Sequence, residues 1–290
     1  MPALSTPFCW TAPQLAERTQ WRFMATPALL DLDQASLQRW AAPLIDELTK
    51  GSGAALIQGL GDINEADLRR LYLAIGRCIG DVDTTYGELY DVVDTGVSYL
   101  DKAIPVSQTN ASTSVHTDSS RLETHPRWVG LACVRQAPIG GGSRLVSAVA
   151  VHEHLAAHHA DVLERLYQPF HRDVVTPGSE ANALALIQNN AFAVYSAASD
   201  GPTLRYMRYW IEKAHERINK PLEPRDLEAF DQLDQTLNDP TFRYDFDLGP
   251  GDLLFIDNHK LAHDRDAFSD DPAAPRLMVR LWLNDRLQTP

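Results

Sequence analysis

Cysteine is scarce in this chain of 290 residues: there are three, Cys9, Cys78 and Cys133. They are odd in number, far apart and in no CxxC pair, which argues against a disulfide framework and against a zinc knuckle. Reduced thiols of this kind fit a cytoplasmic protein. Long apolar runs are missing too, and none approaches the roughly 20 residues that cross a bilayer. The opening MPALSTPFCW lacks the basic stretch and apolar segment of a signal peptide. Positive charge is in deficit, with 26 Lys+Arg against 39 Asp+Glu and a net charge of −13. That leaves no basic stripe for nucleic acid or for an anionic membrane surface. No repeat, low-complexity tract or long linker interrupts the sequence. At 44% hydrophobic and 22% charged residues, the chain has enough apolar mass to fold and is not dominated by disorder. One domain spanning 1–290 is the expectation.

Several familiar chemical signatures are also missing. Gly140-Gly141-Gly142 is followed by no GK[ST], and no GxGxxG or GxSxG occurs. The histidine-rich run His152–His159 is not HExxH, because Ala156 stands where the second histidine would be. His154 and His158 are read as part of a solvated helix face.

The hydrophobic pattern predicts helices over 34–50, with Pro43 implying a kink or a late start, and over 65–79, capped by Asn64. Further helices are expected after Ser147 and over 226–237. Strands are expected at 54–60, 128–134, 241–246, 252–257 and 276–283, with short β segments between 80 and 126. Helices thus crowd the N-terminal half and short strands the C-terminal half, with loops at the Pro-containing segments 176–180, 200–203, 218–226 and 270–275. The absence of a βαβ rhythm disfavours a doubly wound parallel sheet. An α+β protein fits better, its core a double-stranded β-helix, or jelly roll, decorated with α-helices.

Three residues could share a metal. His116 and Asp118 are two apart, so an extended, bending chain can converge their ligand atoms. His263, beyond the strand ending at Asp257, would complete a set of two imidazoles and one carboxylate. Such a set suits iron(II) and leaves positions open for other ligands. Taken singly, each of these residues reads equally well as a polar loop side chain. On the strand 276–283, alternation puts Leu277, Val279, Leu281 and Leu283 on one face and Arg276, Met278, Arg280 and Trp282 on the other. Two guanidiniums beside Met and Trp form either a solvated edge or a carboxylate-binding face.

The segment Ser114–Val134 (SVHTDSSRLETHPRWVGLACV), the run Gly140-Gly141-Gly142-Ser143 and the sequence Gly251–Asn258 leading to His263, Arg265, Phe268, Arg276 and Arg280 together resemble the taurine dioxygenase/TfdA group of iron(II)- and 2-oxoglutarate-dependent oxygenases. The similarity covers roughly 105–285. It implies that His116, Asp118 and His263 bind Fe(II), and that Arg276 and Ser143 hold the far carboxylate of 2-oxoglutarate. It implies O2 as co-reactant, succinate as coproduct and hydroxylation of a C–H bond in a small acid or amino-acid-like substrate. Arg280, and more weakly Arg205, Gln108 and Asn110, become substrate-side candidates. A carboxylate at Asp118 argues against halogenation, because related halogenases have a small residue there. The family also suggests a homo-oligomer. Desaturation or another oxidative rearrangement at the same site is an alternative reading, and a metal-binding jelly roll without turnover is another.

Overall fold

The computed structural model describes residues 6–97, 106–119, 125–173 and 183–286. The loop expected at 176–180, and parts of the 80–126 and 114–134 segments, lie outside the described residues.

The chain packs in four layers: helices, a large sheet, a small sheet and helices again. The large sheet has seven strands, ordered Arg22–Met24, Ala54–Gln58, Leu253–Asp257, Trp128–Arg135, Leu277–Asn284 and Asp81–Val82, with Tyr90–Val92 also pairing to Leu277–Asn284. All its pairings are antiparallel except that of Arg22–Met24 with Ala54–Gln58. The small sheet runs Arg243–Phe246, Ser143–Ser147, Leu261–Arg265. This is the expected α+β jelly roll.

Period-two alternation decides which layer each side chain joins. Leu253 and Phe255 face the helices Gln34–Lys50 and Glu65–Ile79, whereas Leu254 and Ile256 face the small sheet. In the small sheet Leu145 and Leu261 point into the space between the sheets, while Val146 and Ala262 point to the outer helices Ala148–His158 and Pro224–Leu237. The strand Leu277–Asn284 follows the same rule: Val279, Leu281 and Leu283 join the helix-side core, and Met278 and Trp282 face the other sheet. It is not a solvated edge, because strands pair along both its sides.

Three expectations need correction. Pro43 neither delays nor ends its helix, which runs from an Asp33 cap through Gln34–Lys50. Helices do not crowd the N-terminal half; Ala160–Leu166, Ala183–Asn189 and Arg208–Arg217 build much of the middle. The face of His154 and His158 is solvated only in part: His158 is exposed, but His154 is half-buried, its ring 5.3 Å from that of Phe242.

Candidate active site

The two histidines are brought together by backbone. His116 and His263 form an antiparallel bridge, N–H to C=O in both directions at 2.9 Å. His263 also pairs with Leu145 in the small sheet and shares its strand face with Leu261, so its ring points between the sheets. The segment carrying His116 is stitched down on both sides. Thr113 N donates to Arg265 O, and Arg265 N donates to Thr113 Oγ1. Thr117 N donates to Tyr206 O, and Tyr206 N donates to Thr117 Oγ1. Ser114 is in the left-handed region, φ 56°, and its carbonyl lies 2.8 Å from His116 Nδ1. That bond fixes the ring and leaves Nε2 as the ligating atom.

Asp118 is held equally firmly. Asn258, fully buried at the end of the strand Leu253–Asp257, takes a bond from Asp118 N and donates to Asp118 O, both at 2.8 Å. The carboxylate then divides its work. Oδ2 accepts from Trp282 Nε1 at 2.7 Å and from Arg280 at 3.3 Å. Oδ1 lies 3.5 Å from His116 Nε2 and 3.8 Å from His263 Nε2. One ligand atom from each of the three residues lies within 4.8 Å of the others. Burial alone would raise the Asp118 pKa, but the Arg280 charge and the two imidazoles outweigh it and hold the group well below the usual carboxylate range. Burial, then His116, draws His263 down to about 4, so its imidazole is neutral at pH 7. Two imidazoles, the His116 ring oriented through Nδ1, and an ionised carboxylate with one free oxygen are the donor set a divalent first-row metal needs.

Two cavities meet at this triad. The first is mostly apolar, walled by Val92, Val129, Leu131, Leu254 and Ile256, with Ser143, Arg265 and Arg276 among its polar lining. Arg276 is 2% exposed, and no carboxylate of the described residues pairs with its guanidinium. Its Nε donates to Gln136 Oε1 at 2.9 Å, and its guanidinium lies over the Phe268 ring. Burial lowers its pKa to about 10, which still leaves it charged. Gly141 makes this placement feasible: φ is 79°, and a Cβ there would come within 3.2 Å of Arg276 Nε. Arg265 flanks the same ring, and its guanidinium donates to the backbone carbonyls of Thr109, Ala111 and Asp266.

The second cavity lies on the other side of His116 and Asp118. Tyr86, Met207, Trp210 and Trp282 wall it, and Arg172 and Ser119 contribute polar atoms. Arg280 lines both cavities, its guanidinium over the rings of Tyr90 and Trp282.

The structure therefore gathers His116, Asp118, His263, Ser143, Arg276 and Arg280. It places the other three candidates elsewhere. Arg205 donates to Ser119 Oγ at 2.7 Å and lies over the Phe192 ring, Gln108 sits half-buried in a short helix, and Asn110 is exposed. None of the three is among the residues lining the two cavities. Sequence reasoning did not single out Arg172, Thr113 or Trp210, nor the bracing roles of Asn258 and Trp282. Only Trp282 carried a signal, its place on the face of Arg280.

A sequence profile described as "Taurine catabolism dioxygenase TauD, TfdA family" matches residues 16–282. The chain belongs to this dioxygenase family. FR-33289 synthase of Streptomyces rubellomurinus (strain ATCC 31215) is 21% identical over 309 residues, 95% of this chain and 88% of that protein. A uridine-5'-phosphate dioxygenase of Amycolatopsis sp is 30% identical over 153 residues, 52% of each chain. Among solved structures, asparagine oxygenase with Fe(II), 2S,3S-3-hydroxyasparagine and succinate superposes with a TM-score of 0.67 at 18% identity, covering 92% of this chain and 94% of that one. The non-heme iron oxygenase OrfP with Fe and alpha-ketoglutaric acid gives 0.62 at 15% identity, covering 91% and 93%. At these identities the likeness establishes the jelly-roll fold.

Proposed function

We propose that this dioxygenase uses Fe(II), 2-oxoglutarate and O2 to hydroxylate an unactivated C–H bond of a small acid or amino-acid-like substrate, with succinate as coproduct. His116 Nε2, Asp118 Oδ1 and His263 Nε2 hold the iron. Arg276, with Ser143, holds the far carboxylate of 2-oxoglutarate in the first cavity. Arg280 faces both cosubstrate and substrate and steadies Asp118. The carrying observation is the three-residue donor set beside a buried guanidinium, that of Arg276, with no carboxylate partner among the described residues. A buried cation of that kind is matched by an anionic ligand. Asparagine oxygenase and OrfP, solved with hydroxylated amino acids and succinate, support the substrate class.

When bound, the iron supplies the oxidising power, coupled to decarboxylation of 2-oxoglutarate. The protein supplies placement. Its backbone bridge fixes the two imidazoles, Asn258 and Trp282 fix the carboxylate, and the apolar walls exclude water. Asp118 leaves no room for a halide at its position, which favours hydroxylation over halogenation.

Action as one domain over 1–290, self-association and a cytoplasmic location complete the reading. The large exposed side chains Met24 and Ile139 support self-association, and the three free thiols support a reducing compartment. The test is anaerobic titration with Fe(II) and 2-oxoglutarate, followed by visible absorption. A charge-transfer band lost in His116→Ala upholds the reading; iron binding without a band, in a folded protein, overturns it in favour of a metal-binding jelly roll.

A further inference from the structure

Arg172 is a second fixed positive charge beside the triad; Asp118 and Asp173 act on it through space, but no described carboxylate forms an ion pair with it. It follows the strand Pro169–His171 and is 5% exposed. The buried Asn190 holds its backbone twice: Arg172 N donates to Asn190 O at 3.0 Å, and Asn190 Nδ2 donates to Arg172 O at 2.9 Å. The side chain has no comparable hold. One terminal nitrogen reaches Met207 Sδ at 3.9 Å, and Nε has no partner among the described residues. A thioether is a weak acceptor.

The carboxylates nearby are committed. Asp173 accepts from Arg217 at 2.9 and 2.8 Å. Asp118 gives Oδ2 to Trp282 and Arg280 and turns Oδ1 to the histidines. Burying a guanidinium without a counter-charge costs several kcal/mol. Methionine would fill the same space without that cost, so packing does not explain an arginine here.

We propose that the cavity walled by Met207, Trp210 and Trp282 is an oxyanion-recognition site, in which Arg172 binds a carboxylate, phosphate or phosphonate group of the substrate. The carbon to be oxidised then lies between that group and the metal triad. The inference rests on the oxygenase reading above and sharpens its substrate class. A guanidinium offers two parallel donors to such a group, and the apolar walls strengthen the pair by keeping water out. A neutral amide in the same place would leave the charge unpaired, so the site selects against neutral analogues as well as for anions.

The test is calorimetric titration of the anaerobic protein, loaded with Fe(II) and 2-oxoglutarate, with methylphosphonate, acetate and neutral acetamide. Expected are millimolar binding of at least one oxyanion, none of acetamide, and affinity at least about tenfold weaker in Arg172→Gln. Arg172→Lys should retain much of it, and the tighter of the two anions identifies the head group. Binding unchanged in Arg172→Gln, binding of neither anion, or acetamide binding as well as acetate each overturns the proposal. The charge-transfer band reports whether Arg172→Gln is folded; if it is not, Arg172→Met, which keeps the stem, takes its place. If the wild type forms no band, the oxygenase reading fails by itself. Titration of the metal-free protein then decides the present point: oxyanion binding that survives Arg276→Gln but not Arg172→Gln upholds the site, and any other pattern overturns it.

Discussion

The indole nitrogen of Trp282 donates to Asp118 Oδ2 at 2.7 Å, on the oxygen that leaves Oδ1 to face the two imidazoles. A ligand carboxylate so braced keeps its orientation before a metal arrives. Trp282→Phe keeps most of the packing and removes this bond. Iron affinity should fall about tenfold or more, measured by anaerobic Fe(II) titration, with the melting temperature changed little.

Arg276 makes a different prediction. Arg276→Gln removes the only charge assigned to the distal carboxylate and leaves the metal ligands alone. The 2-oxoglutarate concentration that half-saturates the charge-transfer band should rise about 100-fold, from a loss of about 3 kcal/mol. Fe(II) affinity measured without 2-oxoglutarate should be unchanged, and a parallel loss there would contradict the assignment.

Acid should destabilise the fold through a histidine pair outside the site. His125 and His259 stack at 4.2 Å, and His259 Nε2 lies 3.2 Å from His125 O. Burial, then the neighbouring Arg127 charge, pushes His259 down to about 4; burial, then His259, lowers His125 well below its usual range. In the unfolded chain both bind protons near pH 6.5. Between pH 6.5 and 4 the unfolded state therefore holds more protons, and stability falls as pH falls through that window. Thermal melts across it should show the decline, and His259→Gln should make it shallower.

Gly130 tests how tightly the helices lie on the large sheet. A Cβ there would come within 2.4 Å of the Tyr72 hydroxyl and 2.9 Å of the Phe255 ring. Gly130→Ala should cost about 1–3 kcal/mol by forcing both rings aside, visible as a lower denaturation midpoint. An unchanged midpoint would mean the rings move freely.

The parts of the fold legible in the sequence are those where local pattern and tertiary role coincide. The alternation of 253–257 and 277–283 encodes which side chains face helices and which face the other sheet. The side chain of Asn64 accepts from Asp67 N, and that of Ser147 from Ala150 N, so both cap as expected. Arg280 reaches the site because strand parity puts it on the face of Met278 and Trp282, while Arg276 stands just before the strand, next to a register shift at Leu277 and Met278. Other features are long-range. Asn258 reads as a turn residue, and its hold on Asp118 appears only when positions 140 apart meet. Arg172 sits in a short His-Arg-Asp run with no periodicity, and its surroundings are built from Met207 and Trp210. The Pro-containing segment 200–203 reads as a loop, but Gly201–Leu204 is a strand paired with Tyr195–Ala198. Beyond it, Arg205 N donates to Val194 O, Tyr206 exchanges two bonds with Thr117, and a helix begins at Arg208.

The two sides of the site hang on different supports. Val92, Val129, Leu254 and Ile256, which wall the first cavity, belong to the core between the sheets. Met207 and Trp210, which wall the second beside Arg172, pack with Val106 in a small separate core. Mutational drift in the second core can therefore reshape what is oxidised while the oxidising machinery stays in register. A library varied at Arg172, Met207 and Trp210 is where altered selectivity should be sought, and the strand 277–284 is where it should be left alone.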